Sequence, residues 1–173
     1  MQKVNVWAIA DRHFRTLRDP RGGFPVGDML TFVALPMVFG IGVGWLGVCI
    51  SAGALELSTT VFSVFAALLL SVQVALYSVS LRQIQKPSDS RLEKHFEAQR
   101  VHRTTLLREL NDNIAYLILL SVLYITIFLA AYIWAKQSSL LSGFIGGLYL
   151  HFFLTLLMVV KRASIVFSRE YET

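Results

Sequence analysis

Four apolar runs, residues 29–55, 57–81, 114–135 and 140–160, alternate with polar intervals along the chain. Each reaches or approaches the roughly 20 apolar residues that a helix needs to cross the hydrocarbon core of a bilayer. The pattern predicts an all-α membrane protein with four transmembrane helices in two antiparallel hairpins. The one long polar interval, residues 82–113, separates the second run from the third. In it Ser90 stands three residues before Glu93, a capping box that starts a helix near Arg91. The chain therefore divides into an N-terminal segment (1–28), a first hairpin (29–81), a helical extension between spans two and three (82–113), a second hairpin (114–160) and a tail (161–173).

Charge gives these helices a direction. Basic residues gather before the first span, in the central segment (seven, from Arg82 to Arg108) and after the last span, whereas the turns at the other ends of the spans hold only Lys136. Short loops rich in Lys and Arg stay cytosolic. Both termini and the central extension are expected in the cytosol.

Composition agrees with this plan. A 173-residue chain that is 55% hydrophobic and 16% charged is too apolar for an ordinary soluble domain. Its net charge of +5 sorts to the cytosolic side, which favours anionic lipid over nucleic acid as a partner, and no direct nucleic-acid contact is expected. Cys49 is the lone cysteine, which excludes an intrachain disulfide. The first span is expected to serve as the insertion signal, since it is longer than a cleavable signal core and a polar stretch precedes it.

Enzyme chemistry finds no support in the residue pattern. No Ser/His/acid set lies in the spans, no phosphate loop is present, and His151 is the only histidine at membrane depth, so no metal or cofactor is expected. The informative residues lie on the faces of the spans. Gly40, Gly44 and Gly47 follow Pro36 on one ridge of the first span, and Gly143 and Gly147 precede His151 and Thr155 on one ridge of the fourth. Small residues four apart let helix backbones approach closely in lipid. In the second span Thr59, Ser63 and Gln73 share a face with Tyr77, and an amide in hydrocarbon turns toward the bundle interior or a wet cavity. His151, Gln73, Thr155, Ser63 and Thr59 are thus candidates either for interhelical hydrogen bonds or for lining an aqueous path between subunits. The third span is the least informative and is expected to face lipid over much of its circumference, with Trp134 at the interface.

Two segments outside the spans are amphipathic. Residues 4–17 place Val6, Trp7, Ala10, Phe14 and Leu17 on roughly one side, which describes either an interfacial helix or a loosely ordered tail. On the central helix Leu92, Phe96, Leu106, Leu107, Leu110 and Ile114 form an apolar stripe that Gln99 and Arg103 interrupt. Leu92, Phe96, Gln99, Arg103 and Leu106 are the expected contacts for a cytosolic protein partner. Asn111-Asp112-Asn113 are weak helix formers and leave open whether this helix is continuous with the third span.

The run Leu106-Leu107-Arg108-Glu109-Leu110 leading through Asn113-Ile114-Ala115-Tyr116 into a span, with residues 150–162 closing the fourth, resembles small four-span bacterial proteins encoded in phage-defence operons. The likeness covers the last third of the chain and carries no assigned functional residue. It implies a multi-pass protein of the bacterial inner membrane that works with a cytosolic partner to sense infection or permeabilise the membrane. Together these features describe a homo-oligomer that couples a cytosolic signal to membrane permeability. The alternatives are a non-conducting anchor or sensor that recruits a cytosolic partner and, third, a small-molecule transporter.

Overall fold

A computed structural model describes residues 6–16, 26–81, 93–134 and 138–171. Helix α1 (Val6–Thr16) precedes four long helices: α2 (Val26–Trp45), α3 (Ala52–Ser80), α4 (Glu93–Ile133) and α5 (Ser139–Tyr171). The four long helices are apolar and long enough to cross a membrane, which makes this an all-helical, multi-pass membrane protein.

The first span is shorter than the apolar run suggests. It ends at Trp45, and Gly47, with φ 69°, turns the chain where the sequence pattern extends a helix to Leu55. A positive φ suits glycine because no Cβ clashes there, so Gly47 is a turn residue and no part of the packing ridge. Ser51 then caps α3 by accepting a hydrogen bond from the Ala54 N–H at 3.2 Å.

Neighbours in sequence are not all neighbours in space. Among the described residues α2 packs on α5, α5 on α4, and α4 on α3, while α2 and α3 do not meet, so the first two spans do not pack as a hairpin. The connecting turn crosses the end of α5, where the Ile50 N–H donates to Ser142 Oγ at 2.8 Å. Glycine decides the pairing. A Cβ on Gly40 would stand 2.6 Å from the Gly143 carbonyl oxygen, and one on Gly147 would stand 2.9 Å from that of Pro36. Two backbones that close match only each other, and α3 has no comparable glycine ridge.

The other helices meet through larger side chains at seven-residue spacing. Leu55, Phe62, Leu69 and Leu76 are the buried hydrophobic positions of α3, and Ile145, Phe152, Val159 and Val166 those of α5. Helix α4 supplies Leu107, Leu110, Ile114, Leu117, Ser121, Tyr124 and Phe128, alternately three and four apart. This is the repeat by which left-handed helix pairs keep one seam in contact. The third span is therefore the centre of the bundle, because its seam serves α3 on one side and α5 on the other, and the expectation that it faces lipid is corrected. Likewise Leu106, Leu107, Leu110 and Ile114 pack into the chain's own core and do not wait for a partner.

At the middle of the bundle Phe62 touches Phe65, Tyr124, Phe128, Tyr149 and Phe152, with centroids 4.8–6.2 Å apart. Such ring pairs contribute about 0.5–1.5 kcal/mol each beyond area burial. Phe62→Ala is expected to lower the melting temperature of the detergent-solubilised protein markedly. Tyr124→Phe should raise it or leave it unchanged, since the Tyr124 hydroxyl is buried with no hydrogen-bond partner among the described residues. A drop with Tyr124→Phe as large as that of Phe62→Ala would contradict this assignment of the core.

Candidate functional site

Asn111, Asp112 and Asn113 lie inside α4, which is continuous through them. Weak helix formers persist here because successive helical residues point about 100° apart and each of the three finds its own partner. Asn111 Oδ1 accepts from Gln73 Nε2 of α3 at 3.2 Å, Asp112 faces the Arg12 guanidinium of α1 at 3.9 Å, and Asn113 receives His13 and Thr16 of α1. Tertiary bonds thus override the local preference for a break.

The Asn113 junction ties α1 to the bundle. His13 is fully buried, its Nδ1 donates to Asn113 Oδ1 at 2.7 Å, and its ring stacks on Tyr116 with centroids 3.9 Å apart and planes 7° off parallel. Thr16 Oγ1 lies 2.9 Å from the same Asn113 oxygen, while the Arg162 guanidinium of α5 donates to the Thr16 carbonyl at 2.9 Å and approaches Glu109 at 3.4 Å. On the apolar side of this helix Trp7 is 84% exposed, and the side docked on the bundle is the one around His13.

From Tyr116 the network enters the spans. Its hydroxyl donates to His151 Nε2 at 3.0 Å, and His151 Nδ1 reaches the Phe32 carbonyl oxygen at 2.7 Å. A carbonyl only accepts, so Nδ1 carries the proton and Nε2 is the acceptor. The origin of this bond is Pro36. In a regular helix the Phe32 carbonyl would accept from the N–H of residue 36, which proline lacks. The chain widens into a π-helical segment at Leu30–Ala34, and His151 takes the carbonyl from the side. His13, Asn113, Tyr116, His151 and Phe32 form one path from α1 through α4 and α5 to α2.

Burial holds the His13 imidazole down at about 4, against 6.5 for the free side chain, with the Asn113 bond working in the opposite direction and the His151 and Arg162 charges adding to the depression. A histidine depressed in the docked state binds its proton only after release. Docking of α1 is therefore at full strength above pH 6.5 and weakens as pH falls toward 4, by about 3 kcal/mol over that window. Proteolysis within α1 should accelerate across this range in the full chain and lose that dependence in His13→Gln. A flat profile in the unsubstituted chain would contradict burial of a neutral His13.

The remaining sequence candidates are placed as follows. Gln73 serves the Asn111 bond, whereas Thr59, Ser63 and Thr155 bond back to the carbonyls of Leu55, Thr59 and His151 on their own helices. Gly40, Gly44, Gly143 and Gly147 come together at the α2–α5 contact. On the α4 extension Gln99 is exposed, Phe96 is half-buried, and Arg103 donates to the Val79 carbonyl at 3.1 Å, closing the end of α3. Leu92 lies outside the described residues. His13, Asn113, Tyr116, Arg162 and the Phe32 carbonyl went unselected in the sequence. Only Pro36, four residues after Phe32, signalled one of them.

No protein-family model, curated protein or solved structure matches the chain.

Proposed function

We propose that this protein is a membrane-embedded sensor and adaptor of the bacterial inner membrane, with the basic end of the bundle in the cytosol. A cytosolic partner or signal acts on α1 and on residues 96–105 of α4. The path from His13 to Phe32 passes the change to the α2–α5 pair. That path is the observation that carries the proposal, since it joins a helix outside the spans to the first and fourth spans through directional contacts. The charge pattern supports the orientation, and the resemblance of the last third to phage-defence membrane proteins supports the setting. The core of one chain is filled by Phe62, Tyr124, Phe128 and Phe152, all essentially buried, which favours a non-conducting role.

A second function has its own support. On the exposed face of α3, Ser63, Ala67, Ser71 and Ala75 recur every four residues with no helix among the described residues against them. Such a ridge suits pairing with an identical helix. A homo-oligomer assembled through α3 could change membrane permeability along the interfaces between chains.

Photo-crosslinking residues placed at Phe96 and Gln99 in intact cells, with membrane potential followed by dye fluorescence, test both. A sensor captures a cytosolic protein at these positions and none from Ile133, and the potential holds during expression. Depolarisation that Ser71→Leu abolishes would replace the sensor with the conducting oligomer.

A further inference from the structure

Pairing α2 with α5 through glycines leaves a groove beside the contact. Where backbones touch, flanking side chains stand up on either side and little fills the trough between them. A cleft of ≈ 800 Å³ follows this seam, within the roughly 300–1,000 Å³ typical of small-ligand sites. Gly40, Gly44, Gly143 and Gly147 lie along it, with Met37 and Phe144 among the flanking side chains. Trp45 marks one end, and Phe14 of α1, Tyr116 and His151 mark the other.

The chemistry of the occupant follows from what the cleft leaves unsatisfied. His151 has both nitrogens bonded, one to Tyr116 and one to the Phe32 carbonyl, so its imidazole asks no hydrogen bond of a ligand. The rest of the lining is almost wholly apolar, and the cleft runs along two spans at hydrocarbon depth. From Phe32 to Trp45 it extends about 20 Å along α2, against about 15 Å for one leaflet of hydrocarbon. A helix about 10 Å wide over that length has roughly twice the volume of the trough and would stand partly outside it, whereas a single alkyl chain lies wholly within it. At the Phe14 end, Arg12 and Arg15 of the same helix keep side chains 53% and 68% exposed. Each stands beside one carboxylate, Asp112 at 3.9 Å and Asp11 at 2.8 Å, so the four charges balance, and the guanidinium N–H donors left over are what a lipid phosphate would take.

We propose that the cleft between α2 and α5 seats one acyl chain of an anionic phospholipid, with Phe14 at its entrance and Arg12 and Arg15 beside the phosphate. Helix α1 then docks on lipid as well as on α4, and lipid composition joins the inputs that set its position.

The full chain, purified in mild detergent, is incubated with phosphatidylglycerol or phosphatidylcholine vesicles, washed, and examined by native mass spectrometry. The proposal predicts one phosphatidylglycerol retained per chain and several-fold less phosphatidylcholine. Met37→Trp fills the trough from an exposed position and should lose most of the retained lipid, as should Arg12→Gln combined with Arg15→Gln. Val64→Trp, on the exposed face of α3, should retain it. No retained lipid, equal retention of the two lipids, or equal retention by Met37→Trp and Val64→Trp would each overturn the proposal. Unchanged melting temperatures of Met37→Trp and Val64→Trp show that the comparison is made on folded protein.

Discussion

Gly143→Leu is expected to separate α2 from α5 and to yield little folded protein. A Cβ at this position would overlap the Gly40 carbonyl oxygen and lie 2.9 Å from the Gly44 nitrogen and 3.0 Å from its Cα. All three are backbone atoms, which cannot rotate aside as the tip of a side chain can. Relief requires the helices to part, and that breaks the whole seam, including the His151 bond to Phe32. A cost of about 3 kcal/mol or more follows from the upper range for overpacked cores, a large share of the marginal stability of a small protein. Gly146→Ala is the control, because a Cβ there meets only the Phe39 ring edge at 3.5 Å and the Val43 side chain beyond it, all at ordinary van der Waals distance. Thermal unfolding in detergent should show Gly146→Ala close to the unsubstituted chain. If Gly143→Leu melted beside it, the backbone contact between α2 and α5 would be wrong.

Asn113→Leu is expected to free α1 while leaving the four-helix bundle folded. The substitution keeps the branched heavy-atom shape but removes the amide oxygen that His13 Nδ1 and Thr16 Oγ1 share. The buried His13 Nδ1 then loses its partner, at about 1–3 kcal/mol for a buried group left unsatisfied, while the part-buried Thr16 hydroxyl keeps its bond to the His13 carbonyl at 2.7 Å. Asn113→Asp should act in the opposite sense on the pH profile. A carboxylate at the same place pairs with imidazolium, raises the His13 pKa, and moves the release of α1 to lower pH relative to its strength at neutrality. Limited proteolysis of residues 6–16 between pH 7 and 4.5 separates the two variants. Equal cleavage in both would contradict Asn113 as the anchor of α1.

Much of the architecture was legible from the residues. The apolar runs gave four spans and the basic intervals gave a common end for the termini, because length and charge are properties that no tertiary contact changes. The glycines of the first and fourth spans were legible as packing faces. Their match to each other was not, since a small-residue ridge names no partner until the competing helices are compared. The seven-residue spacing of Leu55, Phe62, Leu69 and Leu76, echoed by Ile145, Phe152, Val159 and Val166, was present in the sequence and hidden by apolar neighbours on every side. In lipid-facing helices the inward and outward residues are equally hydrophobic, so the seam has no polarity contrast to reveal it. That is why the third span, whose seam runs from Leu107 to Phe128, looked featureless and turned out to be the centre.

The site was less legible for a different reason. His13 and Asn113 are a hundred residues apart, and each alone reads as an ordinary surface or capping residue. Asn111-Asp112-Asn113 argued for a helix break because its members compete with the helix for their own backbone. The break is absent because α1 and α3 bring Arg12, His13, Thr16 and Gln73 to satisfy the side chains instead. His151 was legible as a polar group at membrane depth, and Pro36 as a disturbance of the first span. That the second supplies the carbonyl for the first follows only when α2 and α5 are placed together.

The central claim is that α1 and the α2–α5 pair are coupled through Tyr116 and His151. Coupling of this kind is reciprocal, so a change made at one end must be felt at the other. Hydrogen exchange of the α1 amides in full-length His151→Phe tests it most directly, because the substitution removes the bonds to Tyr116 and Phe32 without removing any hydrogen bond of α1 itself. The account predicts that protection of residues 6–16 falls about tenfold, roughly 1.4 kcal/mol and within the usual range of coupling energies. Loss of protection confined to α2 around Phe32, with α1 exchanging as in the unsubstituted protein, would contradict it.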